Sequence, residues 1–168
     1  MIKYLFLRRI KKYIKKYQSP LEFSQSEAAI KSFGNSKGND INIDDLTTFV
    51  NDNSDNSFAE ILFDYIDKSG KTDSEIYKAA SVDRRVFSKI RCNENYIPKK
   101  RTIIAIGMAL KLKRQELHKL LSSAGYSLSY SDIFDLIIMY CVENKVYSIA
   151  KINIALEHYG MDLFNTED

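Results

Sequence analysis

The chain has 168 residues, of which 45% are hydrophobic and 28% charged, so it can build one domain with a packed core and is too apolar for a disordered chain. Its two cysteines fit neither a disulfide framework nor the spacing of zinc ligands. The chain has no apolar stretch of about 18 residues, so no membrane span is predicted. The sequence has two prolines, six glycines and long stretches of helical apolar spacing. It therefore predicts an all-α, cytoplasmic protein with reduced thiols.

Charge is segregated along the chain, although the net charge is only +3. Residues 1–17 carry seven basic groups and no acid, and residues 69–101 carry nine basic groups against four acids. Residues 18–57 and 127–168 each carry two lysines against seven acids. The basic middle segment is compatible with a nucleic-acid-binding face. It is equally compatible with segments that neutralise each other.

Residues 1–18 predict a basic amphipathic helix that ends before Ser19-Pro20. Its lysines and arginines lie opposite an apolar stripe formed by Ile2, Phe6, Ile10, Tyr13, Ile14 and Tyr17. Such a helix can dock its stripe on a core, or it can contact phosphate or an anionic membrane. We expect docking, because aromatic stripes are usually buried. Membrane contact through residues 1–17 is not expected.

Residues 19–56 predict a polar, acidic linker region rich in Asn, Asp, Ser and Gly. One apolar cluster within it predicts a brief extended piece at 41–43 and a short helix over 44–50. A flexible linker is expected at 51–56. The acids of this region lack the spacing of an EF-hand, so no calcium site is predicted.

The most informative pattern is found in Thr72–Arg91. A tight turn at residues 80–82 joins two short helices, of which the first begins with a Thr72–Glu75 capping box and the second with Asp83 as its N-cap. The apolar side chains have the spacing of two crossing helices: Ile76, Ala80, Val82, Val86, Phe87 and Ile90. This stretch predicts a helix-turn-helix.

Further helices are predicted on both sides of this stretch. One precedes it and ends at Gly70, one starts at Pro98, and a fifth covers Glu116–Leu121. Residues 57–126 would then form a helix-turn-helix domain. A C-terminal extension, residues 127–168, holds two more helices, Asp132–Asn144 capped by Ser131 and Ile149–Tyr159 capped by Ser148. The helix at 132–144 is almost wholly apolar, so the chain or a second copy must bury it.

Residues 57–125 resemble the phage-repressor-like (XRE-type) helix-turn-helix family. The run TDSEIYKAASVDRRVFSKI aligns with the family's motif without a gap, and TIIAIGMALKL resembles its fourth helix. With SDIFDLIIMYCVEN and INIALEHYG behind it, the chain is also similar over residues 57–164 to a group of bacterial helix-turn-helix proteins. The predicted fold is a five-helix repressor-like domain with two further C-terminal helices and an N-terminal basic helix.

The resemblance implies a sequence-specific DNA-binding protein, a transcriptional regulator that reads the major groove of double-stranded DNA with the helix starting at Asp83. It implies base contacts by Arg84, Arg85, Ser88 and Lys89. It implies phosphate contacts by Lys71, Arg91, Lys99, Lys100 and Arg101. We expect no metal and no cofactor. A homodimer or a partner protein could use the helix at 132–144.

Three positions depart from the family's pattern. Asp73 stands where the family usually has Gln, Tyr77 where it has a small residue, and Ser81 where it has Gly. The charge of Asp73 would repel phosphate, and Tyr77 must widen the helix crossing or rotate outward. The alternative function is therefore a protein-interaction module, an adaptor or inhibitor that keeps the fold but binds a partner protein.

An enzyme is not expected from this sequence. His118 and His158 each stand without a catalytic partner in sequence. No phosphate-binding loop, nucleophile elbow or metal-binding motif accompanies them.

Overall fold

The computed structural model describes residues 2–18, 42–52 and 56–164, and these residues are all α, as predicted, with nine helices and no strand. The helices are α1 (Ile2–Gln18), α2 (Ile43–Asp52), α3 (Phe58–Ser69), α4 (Asp73–Ala80), α5 (Arg84–Cys92), α6 (Lys100–Ala109), α7 (Arg114–Ser123), α8 (Ile133–Glu143) and α9 (Ile149–His158). The chain divides into two units, Met1–Ser19 with Asn56–Asp168 and Pro20–Asp55. No described helix is long and apolar enough to cross a membrane.

The N-terminal helix α1 is a docking helix, as its stripe predicts. Ile10 and Ile14 are buried, and the ring of Tyr13 meets the ring of Tyr140 on α8 edge-on, with 5.3 Å between centroids. Phe6 approaches the same ring at 6.1 Å. Burial raises the pKa of Tyr13 to about 12, helped by the neighbouring Tyr17. Ile10 and Ile14 therefore belong to the protein core, and Phe6, Tyr13 and Tyr17 pack against it as partly buried side chains. The side chain of Ile2, also predicted in the stripe, lies outside the described part of the chain.

Helix α8 is buried by the chain itself. Nine consecutive residues, 134–142, are buried, and α1, α7 and α9 all pack against the helix. Burial raises the pKa of the Cys141 thiol on this helix to about 12. Use of α8 by a second copy or a partner protein would need an exposed face, and residues 134–142 have none.

An ion pair between Asp135 and Lys100 joins the start of α8 to the start of α6. Asp135 is the one buried charged side chain among the described residues, with 1% of its surface exposed. Its Oδ2 accepts hydrogen bonds from Lys100 Nζ at 2.6 Å and from the backbone N–H of Ser129 at 2.8 Å. The cap of α8 is Asp132, which accepts from the backbone N–H of Asp135, so the predicted cap at Ser131 is wrong.

Other helix boundaries differ by a few residues from those predicted. Helix α6 begins at Lys100 rather than at Pro98. The fifth predicted helix, α7, is longer at both ends and begins at Arg114. The first turn of α7 is polar, so that turn lacks the apolar spacing from which a helix is predicted. A hydrogen bond from the Lys113 N–H to the Glu116 carboxylate, at 2.7 Å, stabilises the turn.

The second unit contributes α2. The predicted extended piece is wrong at Ile43, where α2 begins, because the Asn42 side chain accepts from the backbone N–H of Asp44 and starts the helix. The helix continues to Asp52, so the predicted linker begins too early. Residues 41 and 53–55 lie outside the described part of the chain.

Candidate nucleic-acid interface

Two capped helices, α4 and α5, form the region predicted to meet DNA. The Thr72 N–H donates to the Glu75 carboxylate at 2.8 Å, and the Glu75 N–H donates to the Thr72 hydroxyl at 3.3 Å. Hydrogen bonds from the Thr72 backbone and hydroxyl hold the pKa of Glu75 below its usual value. Asp83 accepts from the Arg85 N–H at 2.7 Å. Both predicted helix starts are confirmed.

The turn between the two helices places Ser81 in the left-handed region. Its φ is 54° and its ψ is 42°, and the Val82 N–H donates to the Tyr77 carbonyl at 2.9 Å. This conformation favours glycine and strains other residues by about 1 kcal/mol. Ser81 therefore makes the same turn that a glycine would make, at a modest cost in stability.

Tyr77 packs within the crossing of α4 and α5. Its ring lies edge-on to Phe87 with 5.9 Å between centroids, and its hydroxyl accepts from the Ser74 hydroxyl at 3.2 Å. Phe87 is 97% buried (3% exposed) beneath it. Tyr77 itself is partly buried and packs against the core.

Helix α5 presents one polar face to solvent. The four predicted base-contact residues are all exposed, whereas Phe87 and Ile90 face the core: Arg84, Arg85, Ser88 and Lys89. Within the described chain, the side chains of Arg84 and Arg85 make no hydrogen bond or ion pair. Lys89 lies 5.6 Å from the centroid of the Tyr96 ring. The structure thus brings this predicted set together on one accessible surface.

The predicted phosphate contacts are placed differently, because most are bonded within the fold. Lys71 Nζ donates to the Ala109 carbonyl at 2.9 Å. The Arg91 guanidinium donates two hydrogen bonds to the Asp73 carboxylate, at 2.6 and 2.8 Å, and lies 4.1 Å from the Phe63 ring. These hydrogen bonds raise the pKa of Arg91.

The start of α6 carries the rest of that set. Lys100 forms the ion pair with Asp135. Arg101 donates to the Asp162 carbonyl and lies over the rings of Phe134 and Phe164, at 4.2 and 5.4 Å. Lys99 is exposed. A phosphate group would have to compete with an intramolecular partner for Lys71, Arg91, Lys100 and Arg101.

An open cleft of about 950 Å³ lies between the turn, α5 and the start of α6. Its lining combines cations, acids, and apolar and aromatic groups, among them Lys89, Lys99, Arg101, Asp83, Asp162, Val86, Tyr96 and Phe164. Tyr96 was not predicted as a site residue, and an aromatic residue in a loop gives no local signal for such a role. The cleft continues the basic surface of α5 toward α6.

Neither histidines nor cysteines form a second site in the described residues. His118 and His158 are both exposed, Cys92 is exposed and Cys141 is buried. No group of His, Cys, Asp and Glu able to hold a metal ion occurs in residues 2–18, 42–52 and 56–164.

Compared with protein-family models, curated proteins and solved structures, the chain matches none of them.

Proposed function

We propose that this protein is a sequence-specific DNA-binding protein, a transcriptional regulator of the repressor-like helix-turn-helix class. The supporting observation is the exposed face of α5, where Arg84 and Arg85 project without an intramolecular partner among the described residues. The cap at Asp83 and the buried Phe87 fix α5, which carries them, and the cap at Thr72 fixes the neighbouring α4.

The dimensions of α5 suit a major groove. An α-helix with its side chains is about 10–12 Å in diameter, and the major groove is about 12 Å wide, so α5 can enter it. In helix-turn-helix docking the first residues of the second helix contact base edges. Arg84 and Arg85 occupy those positions, and arginine can donate two hydrogen bonds to guanine.

The test is a selection from a random duplex library at near-physiological salt, followed by affinity measurements on the selected sequence. Arg84→Ala and Arg85→Ala should each weaken binding by about 1–3 kcal/mol and relax the sequence preference. Lys151→Ala, at an exposed lysine on α9, is the matched control and should change little. If no duplex binds more tightly than bulk DNA, the protein does not read sequence and the proposal fails.

Asp73→Asn should tighten DNA binding by roughly fivefold, about 1 kcal/mol. The substitution removes a negative charge from the start of α4 and releases the Arg91 guanidinium, which then becomes available to phosphate. Fold stability should fall by less than about 1 kcal/mol, because the pair is partly exposed.

The control for this gain is a double-mutant cycle with Arg91→Ala. Asp73→Asn should tighten binding much less when Arg91 is already absent. An equal gain in both backgrounds would show that the charge of Asp73 alone opposes DNA, and that Arg91 does not contact phosphate.

The alternative function is a protein-interaction module, which gains support from the intramolecular hydrogen bonds and ion pairs of the predicted phosphate contacts. With four predicted phosphate-contact cations bonded within the fold, the backbone-binding part of a DNA interface is depleted. A pull-down would favour this function if Arg84→Glu/Arg85→Glu retained a specific partner and the wild type bound no DNA. Recovery of the bare protein would count against it.

A further inference from the structure

The outer face of α1 carries a dense, unneutralised positive charge. Six basic side chains between residues 8 and 16 are exposed, and α1 contains no acid: Arg8, Arg9, Lys11, Lys12, Lys15 and Lys16. None of them forms an ion pair or hydrogen bond within the described chain. The face opposite to them holds Ile10 and Ile14, both buried. Because the opposite face of α1 is docked on the core, these six side chains point to solvent, and together they form the α1 basic face.

The charge spacing of the α1 basic face is close to that of a nucleic-acid duplex. Eight residue steps from Arg8 to Lys16 cover about 12 Å of helix axis, at about 1.5 Å per residue. Six charges over that length give one charge per roughly 2 Å, compared with one per roughly 1.7 Å along a DNA duplex. A neutral or weakly charged partner would leave most of these cations uncompensated.

The docking of α1 also decides between two polyanionic partners. A helix that lies on a membrane inserts its apolar face into the lipid boundary. The apolar stripe of α1 is already packed against α8, through the contacts of Phe6 and Tyr13 with Tyr140. The exposed apolar side chains of α1, Tyr4 and Leu5, lie in the turn before Arg8. Between residues 8 and 16 only basic side chains are exposed, which fits a phosphate backbone better than a lipid surface.

We propose that the α1 basic face is a second nucleic-acid-binding surface, which contacts the phosphate backbone without reading sequence. It would add affinity, association rate and salt dependence, because each phosphate that it neutralises releases condensed counterions. The proposal goes beyond the function proposed for α5 and holds whether or not α5 reads bases.

The experiment compares two full-length triple variants with equal charge changes. Lys11→Gln/Lys12→Gln/Lys15→Gln alters the α1 basic face, and Lys111→Gln/Lys119→Gln/Lys151→Gln alters exposed lysines elsewhere. Binding to random-sequence duplex DNA is measured over a range of KCl concentrations. The first variant should bind at least about tenfold more weakly at 0.15 M salt, and the slope of log affinity against log salt should fall by up to about 2.7, or about 0.9 per lost contact.

The control variant should retain most of the wild-type affinity and slope. All six lysines are exposed, so both variants should melt like the wild type, which circular dichroism checks. If the two triple variants bind DNA with the same affinity and slope, the proposal is overturned. It is equally overturned if the first variant loses flotation with phosphatidylserine vesicles while its DNA binding is unchanged, since the surface then serves a membrane.

The outcomes for α1 and α5 can be told apart. Arg84→Ala/Arg85→Ala should abolish sequence preference and leave most of the binding to random duplexes. If the wild type prefers no sequence but the α1 variant still loses affinity and slope, the function proposed for α5 fails and the inference about α1 stands.

Discussion

Replacing Lys100 with methionine should destabilise the protein by about 3–5 kcal/mol. Asp135 is 1% exposed, and its Oδ2 depends on Lys100 Nζ at 2.6 Å and on one backbone N–H. Its Oδ1 has no hydrogen-bond partner among the described residues. Without Lys100, a carboxylate would remain buried with no opposite charge. Urea denaturation of wild type and variant at neutral pH measures the difference.

The control and a compensating variant make this test specific. Lys119→Met, at an exposed position, should change stability by less than about 0.5 kcal/mol. Lys100→Met/Asp135→Leu should regain part of the loss, because replacing both partners of a buried pair by apolar groups removes the unpaired charge, although the Ser129 N–H loses its acceptor. If Lys100→Met costs no more than Lys119→Met, the ion pair is not structural, and Lys100 is available for the phosphate contact that the resemblance implies.

The sequence predicts the parts of the candidate site that depend on neighbouring residues, and it does not predict the ion pairs and hydrogen bonds between distant residues. The cap at Asp83 and the exposed face of α5 follow from local signals, since each depends on residues less than two turns apart. The partners of the phosphate-contact set are distant instead. Arg91 and Asp73 are 18 residues apart, Lys100 and Asp135 are 35 apart, and Arg101 and Asp162 are 61 apart. Helical periodicity carries no information about such pairs.

For the fold as well, the sequence predicts which helix faces are buried but not which helices pack against them. The apolar composition of α8 predicted its burial correctly, and the apolar stripe of α1 predicted correctly that Ile10 and Ile14 are buried. The sequence left open whether the chain or a second copy covers α8. An apolar pattern shows that a helix face is buried, but it does not show which element covers that face. In the structure the two helices cover each other, with Tyr13 of α1 against Tyr140 of α8. The helix start missed at α6 and the cap missed at α8 are shifts of two residues and one residue, the usual precision of boundary prediction.

Ile10→Ala should destabilise the protein by about 2–5 kcal/mol. Ile10 has 0% exposure on α1, so truncation to alanine removes buried methyl groups and leaves a cavity in the core. The matched control is Leu5→Ala on the same helix, where the side chain is 50% exposed and the loss should stay below about 1 kcal/mol. Thermal and urea denaturation of both variants measure the contrast.

Substitutions on the two faces of α1 should affect different properties, stability for the buried face and DNA affinity for the exposed face. Ile10→Ala should lower stability and leave the DNA affinity of the folded protein unchanged, because its side chain points into the core. Lys11→Gln/Lys12→Gln/Lys15→Gln should do the opposite. If Ile10→Ala costs no more stability than Leu5→Ala, α1 is not docked in solution, its apolar stripe is free, and a membrane becomes the better partner for the helix.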